Sequence, residues 1–501
     1  MTRNKRAALA VVVLALAGSI AALAAFSSST HASALPTPHP TLDSYQQLST
    51  STTPPTEAQC IALAITCFTP QAIQSAYNVG PLYARGLNGK GMTIAIVDAY
   101  GSDTMAHDLH VFDQAFGLQP MCGEEGVACT ASMPKFSELT LNGSPATKPQ
   151  PGNGTHQEDK TAWALEVALD VETSHAIAPG ANILLVHTPN AETLGVQGFP
   201  NIMKAEDYVV NNHLANVISQ SFASAEDAFG SSQSLQNLRF AYKDAQANNV
   251  TVLGSSGDGG TANARKTPVS QGGSLIPFPT VEWPASDPLV TGVGGTYLCT
   301  DPFATTNQPR TKDPIPGVGA KCGNAFNPGG IYAEVAWTFS GGGYSDVFAK
   351  PSYQNTLPAG SSFTGTMRGV PDVAFQASSA TGALVYLSLP PDGTSSNVNS
   401  TGWYDIGGTS LACPQWAGLV AIADQLNGRG LGLINPALYK IGANPARYAA
   451  DFFDVATGNT NQGDPSIPGF PSTTGWDAVT GLGTPNAANL VPDLVLAANG
   501  H

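Results

Sequence analysis

A serine follows two glycines in Gly407-Gly408-Thr409-Ser410-Leu411-Ala412-Cys413-Pro414, and an apolar, alanine-rich stretch continues to Ala423. The glycines permit unusual torsions and a close approach of the backbone, so the pattern predicts that a strand ends and a helix begins at this point. Unpaired amides and the helix dipole favour negative charge at such a terminus. Either Ser410 is a nucleophile, or Thr409 or Ser410 merely caps a buried helix, and this segment alone leaves both interpretations open.

Upstream of this stretch, short apolar runs alternate with helical patterns. The alternation predicts an α/β fold with a mostly parallel sheet that helices cover on both faces. Segments rich in glycine, proline, asparagine and threonine carry no apolar periodicity, so they predict long loop insertions on one large domain. The predicted strands are 91–98, 182–186, 216–219 and 250–254, the predicted helices are 158–175, 201–213 and 233–247, and the predicted insertions are 121–156, 299–333 and 388–402.

The composition narrows the class of partner. Of 501 residues only 11% are charged, and the formal net charge is −15. A strongly acidic chain without a basic stripe predicts no nucleic-acid partner. A sparsely ionic surface is compatible with an acidic extracellular setting, because protonation of its carboxylates disturbs few salt bridges.

The N-terminus predicts export. Three basic residues precede an apolar run over 7–26, and Ala32-Ser33-Ala34 has the small residues of a cleavage site. We therefore expect a signal peptide over 1–34, a secreted extracellular protein and no stable membrane association after cleavage. An uncleaved anchor is the alternative, since the run is about long enough to span a bilayer. Residues 35–69 are interpreted as a leader or linker rich in Pro, Ser and Thr, and we expect a monomer.

Seven cysteines agree with an oxidising compartment. Their proximity predicts three local disulfides, although sequence leaves other pairings open. The seventh, Cys413, is interpreted as a small packing residue. The predicted pairs are Cys60–Cys67, Cys122–Cys129 and Cys299–Cys322.

A serine nucleophile needs a general base, and a carboxylate pair is the candidate. Glu166 and Asp170 are four residues apart on a helical pattern, so they share one face. Like charges in a poorly hydrated place share a proton and titrate as a unit at raised pKa. The competing interpretation is a solvated acidic pair.

A histidine base is not found at the expected position, because Asn153 stands where subtilisin-like proteases place the catalytic histidine.

Asp258 is the candidate for stabilising an oxyanion. It lies in Gly254-Ser255-Ser256-Gly257-Asp258-Gly259-Gly260 after a predicted strand, and open parallel sheets place ligands at that edge. A protonated carboxyl there could donate a hydrogen bond to an oxyanion. The alternative is an ordinary turn aspartate.

These segments together resemble the sedolisin family of serine-carboxyl peptidases, which have a subtilisin-like fold. The resemblance covers residues 70–497 and extends to Ser340-Gly341-Gly342-Gly343-Tyr344-Ser345. It implies that Ser410 is the nucleophile, Glu166 the general base and acid, Asp170 its orienting partner and Asp258 the oxyanion-hole acid. The run Ser219–Glu226 resembles the family's substrate-lining Ser-x-Ser-Trp-Gly segment, with Phe222 for tryptophan and Ala223 for glycine.

The C-terminal region, within a peptidase domain assigned to 70–501, resembles the family's calcium site. The resemblance implies one structural Ca²⁺ held by two carboxylates and three main-chain carbonyls, and such hard oxygen ligands suit calcium better than zinc. A bare acidic turn is the alternative. The implied ligands are Asp454, Val455, Thr473, Gly475 and Asp477.

The resemblance implies a secreted endopeptidase that hydrolyses protein or peptide substrates at acid pH. Two alternatives remain. One is a catalytically silent binding protein on the same scaffold, since fold does not guarantee activity. The other is a tripeptidyl exopeptidase of the same family. Members of the family usually carry a large N-terminal prodomain, whereas only about 35 residues separate the predicted signal peptide from the predicted domain.

Overall fold

The computed structural model describes residues 39–40, 45–63, 65–140, 157–188, 198–265, 273–304, 333–388, 401–456 and 458–501. The predicted signal peptide over 1–34 lies outside these ranges. Short strands and helices alternate through the described chain. The strands are β1 (His39–Pro40), β2 (Tyr45–Ser49), β3 (Thr93–Ala99), β4 (Phe136–Thr140), β5 (Asn182–Thr188), β6 (Val217–Gln220), β7 (Phe222–Ala225), β8 (Thr251–Ser255), β9 (Glu282–Trp283), β10 (Thr291–Leu298), β11 (Glu334–Ala336), β12 (Gly343–Ala349), β13 (Met367–Val370), β14 (Val373–Gln376), β15 (Ala383–Ser388), β16 (Thr401–Ile406), β17 (Phe452–Phe453) and β18 (Thr484–Pro485). The helices are α1 (Glu57–Ala62), α2 (Pro70–Ala76), α3 (Gly80–Tyr83), α4 (Met105–Phe116), α5 (Gln157–Ile177), α6 (Gly198–Asn211), α7 (Ser232–Gln236), α8 (Phe240–Ala247), α9 (Thr409–Asn427), α10 (Asn435–Gly442), α11 (Pro445–Asp451) and α12 (Ala487–Ala498).

The main sheet has eight strands in the order β11-β10-β8-β6-β3-β5-β4, and β14 pairs with β10 beside this path. Every pair is parallel except β10 with β11. In the central strand, Ile94 lies opposite Val217 on one side and Ile183 on the other. The predicted mostly parallel α/β architecture is confirmed.

Both faces of this sheet are covered, as its apolar strands require. Ile94 and Ile96 of β3 belong to the core cluster that includes residues of α5 and α9. Ala95 and Val97 point the other way, into a second cluster with residues of α6 and α8. Alternate side chains of β3 therefore contribute to two cores on opposite faces of the sheet. Helices α5 and α9 pack together on the face that carries the candidate site.

Two sequence predictions differ from the structure. The helix predicted over 233–247 is two helices, α7 and α8, separated at 237–239. The insertion predicted over 121–156 contains β4, an edge strand in parallel register with β5. A five-residue strand at a sheet edge has a weak pattern of its own, because pairing with its neighbour stabilises it.

The segment interpreted as a leader also contains regular structure. β2 pairs antiparallel with β16 in a three-stranded sheet with β15, and α1 carries Cys60. β1 pairs antiparallel with β7, with His39 opposite Ala223 and Pro40 opposite Phe222. These pairings join segments that are distant in sequence, so the local residue pattern does not predict them.

Two of the predicted disulfides are present, Cys60–Cys67 and Cys122–Cys129. Cys299 is also disulfide-bonded, while Cys322 lies outside the described residues. Cys413 is a buried free thiol, as predicted, and burial raises its pKa to about 12. Within the described ranges no helix combines the length and the apolar character needed to cross a membrane.

Candidate active site

Ser410 is mounted at the start of α9. β16 ends at Ile406, and the helix follows after two glycines, of which Gly408 has a φ of 125° that disfavours any side chain. Gly408 is the N-cap residue, so Ser410 occupies the second helical position. Neither Thr409 nor Ser410 is therefore the N-cap, which argues against the capping interpretation. Its side chain is fully buried, at 0% exposure.

Glu166 and Asp170 lie on one face of α5, and both are fully buried. Asp170 is held from outside the helix, because the Ser221 hydroxyl donates to its Oδ1 at 3.0 Å. Among the described residues no donor makes a well-formed hydrogen bond with either oxygen of Glu166. The Ser410 hydroxyl nevertheless lies near enough to favour its ionised form. The solvated-pair alternative is thus excluded, and the pair faces the candidate nucleophile.

Electrostatics at this pair oppose full ionisation. Burial, followed by the adjacent carboxyls of Asp170 and Asp98, raises the pKa of Glu166 well above its usual range. Burial and Asp98 likewise raise the pKa of Asp170, against the lowering effect of the Ser221 hydrogen bond. A group of acids in this state holds protons that it can pass to a neighbour.

Asp98 is a neighbouring acid that the sequence analysis did not include among the candidate site residues. It lies in β3 next to the pair, and burial raises its pKa to about 8. The only signal in the sequence was an aspartate near the end of the first buried strand. Its proximity to α5 depends on packing that no local pattern encodes.

Asp258 reaches the start of α9 from the segment after β8. Its Oδ1 accepts hydrogen bonds from the Thr409 amide and the Thr409 hydroxyl, both at 2.8 Å. The Thr409 hydroxyl in turn accepts from the Gly257 amide at 3.1 Å. Asp258 is half-buried and its charge acts on Glu166. The three predicted segments therefore converge at one helix N-terminus.

The predicted calcium ligands also lie together. Asp454 Oδ2 accepts from the Gly475 amide at 3.1 Å, and Asp477 Oδ2 accepts from the Thr473 amide at 2.9 Å. Burial raises the pKa of Asp477 to about 7, and the Asp454 carboxyl adds to the effect. Two neighbouring carboxyls are hard oxygen donors of the kind that a calcium ion prefers, and here main-chain amides hold both of them in place.

No cluster of three or more His, Cys, Asp or Glu that could hold a metal occurs in the part of the chain that the structure describes. A metal at the C-terminal site would therefore depend on main-chain carbonyls as well as carboxylates. Asn153, predicted to stand in place of a histidine, lies outside the described residues.

Comparison with known proteins identifies the family of the chain. The model of the subtilase family matches residues 152–437. Kumamolisin of Bacillus sp. (strain MN-32) is 29% identical over 88% of this chain and 66% of its own length. Tripeptidyl-peptidase 1 of Homo sapiens is 30% identical over 68% of this chain and 53% of its own length. The chain thus spans less than two thirds of the length of these curated relatives.

A solved structure gives the same assignment. Pseudomonas sedolisin, described as a serine-carboxyl proteinase complexed with two molecules of pseudo-iodotyrostatin, superposes with a TM-score of 0.60 and 26% identity. The match covers 85% of this chain and 98% of that one. The chain therefore belongs to the subtilase family and, within it, to the sedolisin family of serine-carboxyl peptidases.

Proposed function

We propose that this chain is a secreted serine-carboxyl endopeptidase that hydrolyses peptide bonds at acid pH. The observation that carries the proposal is the convergence of Ser410, the pair Glu166 and Asp170, and Asp258 at the N-terminus of α9. These side chains supply a nucleophile, a proton acceptor and a proton donor within one buried site.

In the proposed reaction, the Ser410 oxygen attacks the substrate carbonyl carbon while Glu166 accepts the hydroxyl proton. Asp258 in its acid form donates a hydrogen bond to the developing oxyanion. Glu166 then passes its proton to the leaving amine, and water hydrolyses the acyl-enzyme by the same roles in reverse. Asp170, fixed by Ser221, orients Glu166 and shares its proton.

The pH dependence follows from these roles. The raised pKa of Glu166 means that the population able to accept a proton grows as pH rises through the acid range. Asp258 must keep its proton to donate, so activity falls again towards neutral pH. The proposal therefore predicts a bell-shaped profile with its maximum on the acid side.

The direct test is labelling and turnover. A peptide aldehyde should modify Ser410 at acid pH, and Ser410→Ala should abolish cleavage of a denatured protein. Ser232→Ala, which removes an exposed serine on α7, is the matched control and should leave cleavage unchanged. Equal cleavage at pH 4 and pH 8, or full turnover by Ser410→Ala, would refute the proposal.

The same labelling and cleavage experiments distinguish two alternative functions from the proposed one. A tripeptidyl exopeptidase is favoured by the similarity to tripeptidyl-peptidase 1, and it would release three-residue N-terminal fragments instead of internal ones. A silent binding scaffold would show neither labelling nor products. The second rival is opposed by the buried acid pair, which has a cost without a catalytic use.

A structural Ca²⁺ at Asp454 and Asp477 forms part of the proposal. The two carboxylates would be joined by the main-chain carbonyls of Val455, Thr473 and Gly475. When bound, such an ion neutralises like charges and ties the segment 473–477 to the end of β17. Secretion is supported by the disulfides Cys60–Cys67 and Cys122–Cys129, which an oxidising compartment preserves.

A further inference from the structure

The hydroxyl of Thr409 lies at the centre of the contact between α9 and the segment after β8. It accepts a hydrogen bond from the Gly257 amide at 3.1 Å and lies 2.8 Å from Asp258 Oδ1. A threonine hydroxyl carries one hydrogen. Since the amide is the donor in the first contact, that hydrogen is directed to Asp258. Thr409 is fully buried, so bulk solvent does not reach the hydroxyl.

The same carboxyl oxygen accepts a second hydrogen bond from the helix itself. The Thr409 amide, in the first turn of α9, donates to Oδ1 at 2.8 Å, and first-turn amides have no acceptor within their own helix. Two donors therefore converge on Oδ1. A proton on that oxygen would face both of them, so the acid form of Asp258 carries its proton on Oδ2.

This arrangement acts on both forms of the Asp258 carboxyl group. In the acid form it fixes which oxygen donates, because rotation of the carboxyl group would break both contacts with Thr409. In the ionised form, two donors and the positive end of the helix dipole stabilise the negative charge. Thr409 therefore orients the acid and also favours its ionisation.

Two acids from other elements face the same segment and act in the opposite direction. Glu166 on α5 lies close enough for its carboxyl group and that of Asp258 to interact. Glu282 on β9 packs on Gly257, where an added Cβ would lie 2.9 Å from its carboxyl carbon. Negative charge on either acid disfavours the ionised form of Asp258. Two further stretches that contact this segment contain no titratable side chain, namely 339–341 and 461–463.

We propose that Thr409 is a positioning residue that fixes the donor oxygen of Asp258 and sets the pH at which activity ends on the alkaline side. This inference rests on the proposed peptidase function and adds a control of its pH range. The hydroxyl stabilises the carboxylate more than the acid, because a hydrogen bond to an ionised acceptor is roughly twice as strong as one to a neutral acceptor. Activity therefore ends at a lower pH than it would without this hydroxyl.

The test compares two substitutions at Thr409. Thr409→Val keeps the shape but removes the hydroxyl, so the ionised Asp258 loses one donor and the acid form persists to higher pH. The alkaline limb of kcat/KM should move up by about 1 pH unit. Activity at the optimum should fall roughly tenfold, because one contact that orients the acid is lost. Thr409→Ser keeps the hydroxyl and should retain the limb of the parent chain.

Two further variants distinguish this role from a purely structural one. Thr409→Ala removes the same hydroxyl without adding bulk, and it should shift the limb as Thr409→Val does. Thr484→Val is the matched control, since the buried Thr484 hydroxyl donates to another buried acid, Glu334, at 2.6 Å. It should lower the melting temperature without moving the limb. The inference is overturned if the limb does not move up in Thr409→Val and Thr409→Ala, or if Thr409→Ser shifts it as far.

A direct titration separates this inference from the proposed function. Ser410→Ala should not digest itself, so its aspartate carboxyl carbons can be followed by NMR from about pH 3 to about pH 8. Asp258→Asn in the same background assigns the signal. A titration midpoint about 1 pH unit higher after Thr409→Val supports the inference even if the chain hydrolyses nothing. Equal midpoints reject it even if the chain is an active peptidase.

Discussion

Helix α5 carries two groups of buried acids that differ in their partners. Glu166 and Asp170 lie beside Asp98. Burial raises the pKa of both Glu166 and Asp170, Asp98 raises both further, and Asp170 also raises that of Glu166. Farther along the helix, His175 lies 3.0 Å from Asp113, and the Tyr386 amide donates to Glu172 at 3.0 Å. The second group thus has a basic partner and a main-chain donor, whereas the first consists of acids with serine hydroxyls.

The difference teaches that burial alone does not prepare an acid for chemistry. The charge of the Asp113 carboxylate is compensated by His175. Burial raises the pKa of Glu172 well above its usual range, so this acid keeps its proton, but no candidate nucleophile lies among its hydrogen-bond partners in the described chain. Three carboxyls that face one another must hold protons among them and can release one to a substrate. The contrast supports the reactive role proposed for the first group and predicts a structural role for the second.

The largest expected difference between the two groups appears when one acid in each group is replaced by its amide. Glu166→Gln should lower turnover by roughly 10⁴-fold or more, because it removes the proposed proton acceptor. Its thermal stability should be retained or increased, since a buried like-charge contact disappears. Glu172→Gln should leave turnover per folded molecule within a few-fold of the parent. Steady-state kinetics at acid pH and thermal melts of both variants provide the check, and a reversed pattern would exchange the two roles.

His175 provides the second test. Burial opposes its charge, but the Asp113 carboxylate and hydrogen bonds to Asp113 and Gln119 raise the pKa of His175 overall. A raised pKa makes the stabilisation complete below the ordinary histidine range and removes it as pH rises through the folded value. His175→Gln should therefore cost about 3–5 kcal/mol of unfolding free energy at acid pH and less at alkaline pH.

Urea unfolding at several pH values measures this cost. The position of the acid limb of the activity profile should not change in His175→Gln, because that limb belongs to Glu166. A shifted limb would mean that the two groups titrate together.

The parent chain should lose stability as pH rises from about 4 to about 8. Burial raises the pKa of Asp98 to about 8 and that of Glu226 to about 7. The folded state then binds more protons than the unfolded chain across this interval, so the free energy of unfolding decreases with pH. Urea midpoints that increase from pH 4 to pH 7 would contradict this reading of both acids.

A third acid pair, Asp454 with Asp477, sharpens the comparison because its proposed partner is a metal. Chelation should lower the melting temperature by a few degrees, and more at pH 7 than at pH 4, since protons replace the cation in acid. Asp477→Asn should be insensitive to chelator. Isothermal titration with Ca²⁺ gives the stoichiometry, which we expect to be one ion. Unchanged melting of the parent in chelator at pH 7 would reject the site.

The smallest expected effect concerns strand β1 and the reactivity of Ser410, which lies beside Glu166 and Asp170. Ser410 is fully buried, and β1 lies on the edge of β7 beside the site. A chain that begins at Tyr45 keeps β2 but lacks β1, and its Ser410 should react with a peptide aldehyde up to about tenfold faster. Equal labelling rates in the two chains would show that β1 does not compete for the cleft.

Much of this molecule could be read from the sequence because its signals are local. The buried strands around β3 are short runs of apolar residues, and the glycines before Ser410 mark the start of α9. Glu166 and Asp170 were recognised since helical spacing places them on one face. In each case neighbours in sequence determine the outcome.

The remaining features depend on distant contacts. Asp98 acts on α5 from another element, and β2 exists only because β16 supplies its hydrogen bonds. β1 likewise forms only because β7 supplies its hydrogen-bond partners, and no local pattern predicts that pairing. Long-range register of this kind leaves no periodic trace in a single chain.

The pairing of β1 with β7 sets a high effective concentration of the β1 segment at that edge. A segment joined covalently to the molecule that it occupies remains at millimolar effective concentration, however far the protein is diluted. A free peptide that pairs with this edge of β7 must exceed that level or bind more tightly. Dilution would therefore not free the edge, whereas a single cut between β1 and β2 would make the segment a dissociable ligand.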